Sequence, residues 1–189
     1  GLILIMILIV LVFIGPWISP YNPLAPEPIN RLKGPSWTLP FGTDSLGRDI
    51  LSRVIYGSRI SIIIGLIAVS ISLLPGTILG LLSGFYGKRV DEPIMRFMDI
   101  MLAFPAILLA IFITAILGPS LLNTMIAVGI VYIPHYARIV RSSVLSLKEQ
   151  LFVQAVRSLG GSNLRIIALH IFPNTIPPII VYATLGKGT

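Results

Sequence analysis

Long parts of this chain carry no charged side chain. Between Arg59 and Lys88 lie 28 residues without Asp, Glu, Lys or Arg, and a second uncharged run covers the 38 residues from 100 to 137. A helix of about 20 mainly apolar residues crosses the roughly 30 Å of hydrocarbon in a bilayer. Only 11% of all residues are charged, against about 25% in a typical soluble domain. The sequence therefore predicts an all-α integral membrane protein.

The charges that remain are mostly basic. The 14 Lys and Arg residues outnumber the 7 Asp and Glu residues, so the formal net charge is +7. Such an excess can indicate binding to nucleic acid or to anionic lipid. Because the charges are few in total, we expect membrane lipid and no nucleic acid as the partner. The chain contains no cysteine, which excludes disulfides, thiol catalysis and cysteine-based metal sites.

Five membrane-spanning segments are predicted. They lie at about 1–18, 60–85, 93–117, 121–137 and 174–189. The 38-residue run is divided into two spans at Gly118 and Pro119, which do not favour a continuous helix. Pro75 and Gly76 predict a kink or a close helix contact in the second span, and Pro105 and Pro134 are interpreted as kinks. The first and last segments are short, so we expect a truncated first helix, an unfinished fifth and a chain that lacks its true N-terminus.

The loop at 19–58, between the first two spans, has a different composition. Six prolines occur from position 20 to position 40, so we expect an exposed extended loop over 19–44, without helix or paired strand. From Ser45, apolar residues recur at helical spacing and predict an amphipathic helix on the membrane surface. Basic residues at the ends of the spans number eight on one side and five on the other. Because Lys and Arg are retained in the cytoplasm, this loop is predicted to be extracytoplasmic and 146–173 cytoplasmic.

Residues 146–173 form a polar, basic stretch between two apolar segments. Ser146 and Glu149 have the spacing of a capping box, which predicts that a helix begins there. Gly160 and Gly161 predict its end, because glycine readily adopts the left-handed conformation that terminates helices. The apolar stripe of this helix consists of Leu151, Ala155 and Leu159.

A second short helix is predicted to follow. Ser162 is expected to cap it, its residues run from Asn163 to Ile171, and Pro173 is expected to stop it. Two other interpretations of this helix pair stay open. It could be an amphipathic hairpin that lies on lipid headgroups through Arg157 and Arg165. A DNA-reading helix-turn-helix is disfavoured, because membrane spans flank the pair closely.

The spacing within 146–173 resembles that of a known family. Ala155, Gly160 and Pro173 are spaced as in the EAA loop of ABC importer permeases, which reads Glu-Ala-Ala, three residues, Gly, nine residues, then Ile-x-Leu-Pro. Gln154 stands for the family's Glu, which keeps hydrogen bonding but removes a charge. The resemblance implies that an ATP-binding subunit is contacted by Gln154, Ala155, Val156, Leu159, Gly160 and Pro173. We call 146–173 the coupling loop.

Other segments narrow this resemblance. The sequences at 41–66, 95–110 and 136–162 are similar to C-type subunits of dipeptide, oligopeptide and nickel permeases. This implies a type I ABC importer transmembrane domain, with six spans in full-length members and the permease core at 59–189. It also implies a multi-pass protein of a bacterial or archaeal plasma membrane.

The resemblance further implies a permease subunit of an ATP-driven, binding-protein-dependent importer of di- or oligopeptides. Its partners would be a homologous permease, two ATP-binding subunits and an extracytoplasmic substrate-binding protein. The chain has no phosphate-binding loop of the form G-x-x-x-x-G-K-[ST] and no catalytic cluster, so we expect no enzymatic activity and no bound cofactor. ATP would be used by the partner subunits. The alternatives are a permease for nickel or another small solute, and a membrane scaffold without transport.

A few isolated polar residues could carry chemistry. Asp99 lies inside the third span, and a local ion pair with Arg96 is favoured over a substrate or proton site. His135 and His170 do not have the spacing of metal ligands, so no metal site is expected. The residues expected to face lipid phosphates or an ATP-binding subunit are Arg138, Arg141 and Lys148.

Overall fold

The computed structural model describes residues 21–185, together with Ile14, Trp17 and Ser19. In these residues the regular structure is helical, and β pairing is confined to a single bridge between Thr43 and Asp49. The prediction of an all-α protein is confirmed for this part of the chain. Most of the predicted first span, and residues 186–189 of the predicted fifth, lie outside the described residues.

The helices follow one another in this order. A 3₁₀ turn, Pro28–Asn30, precedes α1 (Ile50–Tyr86), α2 (Lys88–Ala103), α3 (Ala106–Leu117), α4 (Leu121–Leu147), α5 (Leu151–Ser158) and α6 (Asn163–Arg165), which continues through a π-helical segment (Ile166–Ile171) into α7 (Phe172–Leu185). The chain divides into two compact units, residues 1–66 and 67–189, and α1 contributes to both.

The proline-rich loop of the first unit is folded by its own hydrogen bonds. Asp44 accepts them from the side chains of Arg48 and Arg53, at 2.8 and 2.5 Å, and from the backbone amide of Leu46 at 2.8 Å. Burial raises the pKa of Asp44, but the backbone and side-chain hydrogen bonds from Arg48 outweigh this effect and hold the pKa at about 2. The loop is mostly exposed, as expected, but it is folded and not extended. The amides of Glu27 and Leu32 donate hydrogen bonds to the carbonyls of Leu46 and Asp44, at 3.1 and 3.2 Å, and join distant parts of the loop.

α1 is a single long helix. Asp49 caps its start, since one carboxylate oxygen accepts hydrogen bonds from the amide and the hydroxyl of Ser52 at 2.8 and 2.6 Å. The amphipathic helix predicted after Ser45 is not a separate element, because the same helix runs unbroken through the predicted second span. In the described part of the chain, Ile50–Tyr86 and Asn163–Thr184 are each long and apolar enough to cross a membrane.

α2 and α3 are separated by a sharp bend. Their axes differ by 96°, so the predicted span over 93–117 is broken into two helices, which together are apolar enough to form one bent span. Pro105 has no N–H and disfavours helical backbone in the residue before it. Phe104 is accordingly extended, with φ −88° and ψ 137°. The kink predicted at Pro105 is confirmed.

α4 contains the predicted fourth span, 121–137. The Ser120 hydroxyl caps it by accepting a hydrogen bond of 3.1 Å from the backbone amide of Asn123, three residues later. In contrast to α1, α4 is not apolar enough to be identified as a membrane span from its composition alone. It carries His135, Arg138 and other polar residues, which lower its hydropathy.

α1 and α4 lie so close that their backbones touch. A Cβ atom on Gly80 would be 2.6 Å from the carbonyl oxygen of Ala137 and 2.7 Å from Cβ of Val140. Gly76 and Gly84 meet α4 in the same way, one turn to either side. The close helix contact predicted at Gly76 is confirmed, and it forms the centre of the second unit.

The hydrophobic core beside these two helices also includes the coupling loop. The buried members of the core are Tyr136, Val140, Val144, Val153, Ile166, Ile171 and Ile179. Phe85 of α1 and Val156 of α5 pack against them. The coupling loop is therefore fixed to the ends of α1 and α4 by its own apolar side chains.

Candidate functional site

The start of the coupling loop differs from the prediction. α4 continues to Leu147, so Ser146 lies in its last turn and does not cap a helix. Val144 is fully buried in the core, and this packing keeps the end of α4 helical. α5 begins only after Gln150, whose backbone is extended at φ −73° and ψ 147°. The predicted capping box is wrong, because tertiary packing carries α4 through it.

Gln154 stabilises the turn that precedes α5. Its side-chain Nε2 donates a hydrogen bond of 3.1 Å to the backbone carbonyl of Glu149. An ionised carboxylate has no proton to donate and could not make this bond. The hydrogen bond that the structure shows for Gln154 is thus made to the chain's own backbone, and its contact with an ATP-binding subunit stays a prediction.

α5 ends at Gly160 as predicted. Gly160 has a φ of +78°, and the amides of Gly160 and Gly161 donate to the carbonyls of Arg157 and Val156, both at 3.0 Å. These two bonds define a Schellman motif. Gly161 is needed for space, since a Cβ there would lie 2.6 Å from Cγ1 of Val156. Gly160 is needed for its backbone conformation only, because a Cβ there would meet nothing within 4 Å.

The second helix begins as predicted but does not end there. The Ser162 hydroxyl accepts a hydrogen bond from the Arg165 amide at 3.4 Å and caps α6. The helix then widens into the π-helical segment and continues past Pro173 as α7. The amide of Phe172 bonds the carbonyl of Ile167, five residues earlier, as in a π-helix. The predicted stop at Pro173 is wrong, because the wider turn accommodates the proline and the following apolar residues join the core.

α5 presents different side chains to the core and to the surface. Val153 is fully buried, and Val156 packs against the same core. Leu151 and Leu159 are 81% and 88% exposed, and Ala155 between them is also exposed. The apolar stripe predicted for this helix therefore lies on the protein surface, where it is not covered by any described residue.

The predicted coupling residues separate accordingly. Those that share the exposed side of α5 and its end are Gln154, Ala155, Leu159 and Gly160. Val156 is turned toward the core, and Pro173 lies in α7, after the π-helical segment. The exposed side of α5 thus carries apolar side chains next to Gln154 and ends at a glycine.

Arg157 links α5 to α1. Its guanidinium carbon lies 5.8 Å from the centre of the Phe85 ring, a cation–π arrangement. The interpretation of the helix pair as a hairpin held on lipid headgroups through Arg157 is therefore disfavoured, because this side chain is engaged within the protein.

A polar cluster that the sequence analysis did not predict connects α1, α2 and α4. Arg141 binds both carboxylate oxygens of Asp91 at 2.5 Å, and the Ser83 hydroxyl donates to Asp91 at 2.6 Å. Lys148 donates to the carbonyl of Gly84 at 3.2 Å. The Arg141 guanidinium holds the pKa of Asp91 below its usual value. Asp91 and Arg141 are 50 residues apart, so no helical spacing in the sequence points to this pair.

A second ion pair corrects the expectation for Asp99. Its carboxylate accepts a hydrogen bond of 2.5 Å from Arg138 of α4, whereas Arg96 pairs with Glu92 at 2.7 Å. The predicted Asp99–Arg96 pair is wrong, although the four-residue spacing of Glu92 and Arg96 is a signal that could have found their contact. Each of the three basic residues expected to face lipid phosphates or an ATP-binding subunit also binds a group of this chain; they are Arg138, Arg141 and Lys148.

Two sequence models of known families match the chain. One is described as a binding-protein-dependent transport system inner membrane component and matches residues 76–186, a range that includes the coupling loop. The other is described as the N-terminal TM domain of oligopeptide transport permease C and matches residues 1–35.

Curated permeases are also similar to the chain. It is 51% identical to a dipeptide transport system permease protein of Alkalihalophilus pseudofirmus, and the match covers 100% of this chain and 62% of the relative. It is 45% identical to a di/tripeptide transport system permease protein of Pseudomonas aeruginosa, with 98% and 63% covered. It is also 45% identical to a glutathione transport system permease protein of Escherichia coli, with 98% and 61% covered. The chain thus spans less than two thirds of the length of these relatives.

Proposed function

Because the chain belongs to the family of binding-protein-dependent transport system inner membrane components, we propose that it is part of a permease subunit of an ATP-driven importer of di- or oligopeptides. The names of the three relatives above all refer to the transport of short peptides, which supports peptide as the substrate class. The observation that carries the proposal is the exposed apolar surface of α5 on a helix whose other side is buried in the core.

The proposed partners follow from the division of labour in such a system. Two ATP-binding subunits supply the hydrolysis, and the lack of a G-x-x-x-x-G-K-[ST] motif in this sequence supports that assignment. A homologous permease completes the path through the membrane, and an extracytoplasmic substrate-binding protein delivers the peptide. The protein is accordingly a transport component and not an enzyme.

Coupling is proposed to begin at the exposed side of α5. Leu151, Ala155 and Leu159 dock into a groove of an ATP-binding subunit, and Gly160 allows that subunit to approach the backbone. The docked α5 moves together with α4 and α1 as one rigid body, because Val153 is buried in the same core as α4 and Arg157 lies on Phe85 of α1. Closure of the ATP-binding subunits thereby moves the spans.

The test is ATP-dependent uptake of a labelled dipeptide by proteoliposomes that contain the full-length subunit and all its partners. Replacement of Gly160 by Leu should abolish both uptake and peptide-stimulated ATPase activity while membrane levels stay normal. The matched control is Gly118→Leu, because Gly118 also has a positive φ, of +91°, with no atom within 4 Å of a new Cβ. Gly118 has φ +91° and ψ 158°, a backbone region that is essentially restricted to glycine, so its variant carries at least as much strain as Gly160→Leu. Loss of uptake by Gly160→Leu with normal uptake by Gly118→Leu is therefore not explained by backbone strain.

Three results would contradict the proposal. Normal uptake by Gly160→Leu would exclude docking at this surface. Uptake of nickel or another small solute in place of peptide would show that the proposed substrate class is wrong. The absence of any ATP-dependent uptake in the complete system would indicate a membrane scaffold.

A further inference from the structure

One exposed side of α4 is polar. Tyr132, His135, Arg138 and Ser142 recur at intervals of three or four residues and therefore lie along one side of the helix. Tyr132 is 44% exposed, and the side chain of Arg138 is 52% exposed. The opposite side is apolar and packs on α1. We call the four residues the polar face of α4.

The fourth span predicted from the sequence, 121–137, places part of this face at the depth of the hydrocarbon. At 1.5 Å per residue, Tyr132 is about 16 Å and His135 about 21 Å along the helix from Leu121. The hydrocarbon of a bilayer is about 30 Å thick, so both side chains lie inside it if α4 crosses from its capped end. Arg138 is about 26 Å along the helix and close to the other boundary.

The exposed side of α3 has the composition expected of a surface that faces lipid. Its large exposed side chains are Ile107, Leu108, Ile111, Phe112, Ile116 and Leu117, all apolar. The hydroxyl of Thr114 is satisfied by the carbonyl of Ala110 at 2.8 Å. Polar and charged side chains inside a membrane instead face protein or a water-filled cavity, because hydrocarbon offers them no hydrogen-bond partner. The polar face of α4 is therefore not a lipid-facing surface.

The groups beside the polar face could bind a small charged solute. The His135 ring lies 5.8 Å from that of Tyr132 and stacks at 6.3 Å on Tyr182 of α7. Beside them, Asp99 and Arg138 form an ion pair in which both side chains stay more than half exposed. An acid, a base and a row of aromatic rings thus lie next to one another within the described residues.

We propose that the polar face of α4 forms a hydrated wall of the solute path and contacts a zwitterionic peptide. Arg138 binds the peptide carboxylate, Asp99 binds its ammonium group, and Tyr132 and His135 contact the peptide between them. This inference rests on the proposed function as a peptide permease. A protein surface is the other possible neighbour of this face, but charged side chains are depleted where protein interfaces are fully buried.

The first test uses thiol accessibility, for which the absence of cysteine from this chain is an advantage. Tyr132→Cys and His135→Cys are introduced singly into the full-length subunit of the assembled transporter. A charged, lipid-insoluble methanethiosulfonate is then applied to permeabilised membranes. Because the thiolate, which forms in water, attacks the sulfur of such reagents and displaces methanesulfinate, we expect modification at least about tenfold faster than at Leu108→Cys. Leu108 is the lipid control, and Ala137→Cys, fully buried against Gly80, is the protein-covered control.

The outcomes of this test are distinct. Fast modification at both positions supports a hydrated wall. Rates as slow as that of Leu108→Cys or of Ala137→Cys would overturn the proposal, because they indicate lipid or a protein partner against this face. The measurement does not require transport, so a failure of the proposed function would be recognised separately, as absent dipeptide uptake.

The second test examines the contact with peptide. During turnover with ATP and loaded binding protein, a saturating dipeptide should slow the modification of His135→Cys, compared with unloaded binding protein. The protection should be lost in an Arg138→Gln background and retained in Arg138→Lys, which keeps the positive charge. Equal protection in all three backgrounds would show that Arg138 does not hold the solute, and no protection at all would exclude contact with the peptide.

Discussion

The Asp91 carboxylate joins three helices at one point. It belongs to α2 and accepts hydrogen bonds from Ser83 of α1 and from Arg141 of α4. The side chains of Asp91 and Arg141 are 18% and 33% exposed, whereas those of the neighbouring pair, Glu92 and Arg96, are 63% and 76% exposed. Solvent screens an exposed ion pair strongly and a partly buried one less. Asp91 is therefore expected to contribute more to the stability of the fold than its sequence neighbour Glu92.

Replacement of Asp91 by Asn should destabilise the protein by about 1–3 kcal/mol, because it leaves Arg141 partly buried without its counter-charge. The matched control is Glu92→Gln, for which we expect less than about 1 kcal/mol, since that ion pair is exposed. The free energy of unfolding in mixed micelles measures both. Equal losses of stability for the two variants would show that the Asp91–Arg141 ion pair stabilises the fold no more than the exposed Glu92–Arg96 pair.

The pH dependence of the same pair has a defined sign. The pKa of Asp91 is lowered in the folded protein, mainly by Arg141, so the ion pair stabilises the fold above the usual Asp pKa of about 3.9. That contribution is lost as the pH falls through the lowered pKa. The stability difference between the wild type and Asp91→Asn should therefore be constant from about pH 5 to pH 8 and shrink only in stronger acid.

At the scale of elements, the contact between α1 and α4 depends on glycines placed one turn apart. Gly76, Gly80 and Gly84 allow the two backbones to meet, and a Cβ at any of them would lie less than 3 Å from atoms of α4. Small residues at such crossings are how helices in membranes pack closely without a hydrophobic driving force. The core that holds the coupling loop is built against this pair.

Replacement of Gly80 by Ala should destabilise the protein by about 1–3 kcal/mol through overpacking, because α4 must move away from the new methyl group. Gly57→Ala in the same helix is the control, since a Cβ there meets nothing within 4 Å. The control should be neutral or more stable by up to about 1 kcal/mol, since Ala favours helix over Gly. The two free energies of unfolding should thus change in opposite directions, and a stabilised Gly80→Ala would show that the helices are not in contact.

The same elements show which features the sequence could predict. Gly160, Ser162 and the bend at Pro105 act through their own backbone chemistry, so local rules placed them correctly. The capping box at Ser146 and the stop at Pro173 are equally local signals, but burial of Val144 and Ile171 in the shared core overrides both. Partners such as Asp99–Arg138 and Asp91–Arg141 depend on how helices far apart in sequence are packed, and no spacing reveals them.

For the molecule as a whole, one side of the coupling loop is packed into the hydrophobic core and the other side is exposed. Val153 and Val156 attach α5 to the core, and Arg157 attaches it to α1. Leu159, at 88% exposure, contributes nothing to this attachment. Stability and partner binding should therefore be separable by mutation within a single turn of the chain.

Replacement of Leu159 by Asp should leave the free energy of unfolding unchanged within about 0.5 kcal/mol, as is usual for surface positions. The same change should remove most of the ATP-binding subunits that copurify with the tagged protein, because a charge in the centre of an apolar interface costs about 2 kcal/mol or more. Leu24→Asp is the control, since Leu24 is also exposed, at 67%, but lies in the proline-rich loop. It should retain the subunits fully. Loss of binding in both variants, or in neither, would contradict a docking surface on α5, because the proposal requires that only the exposed side of the coupling loop meets the ATP-binding subunits.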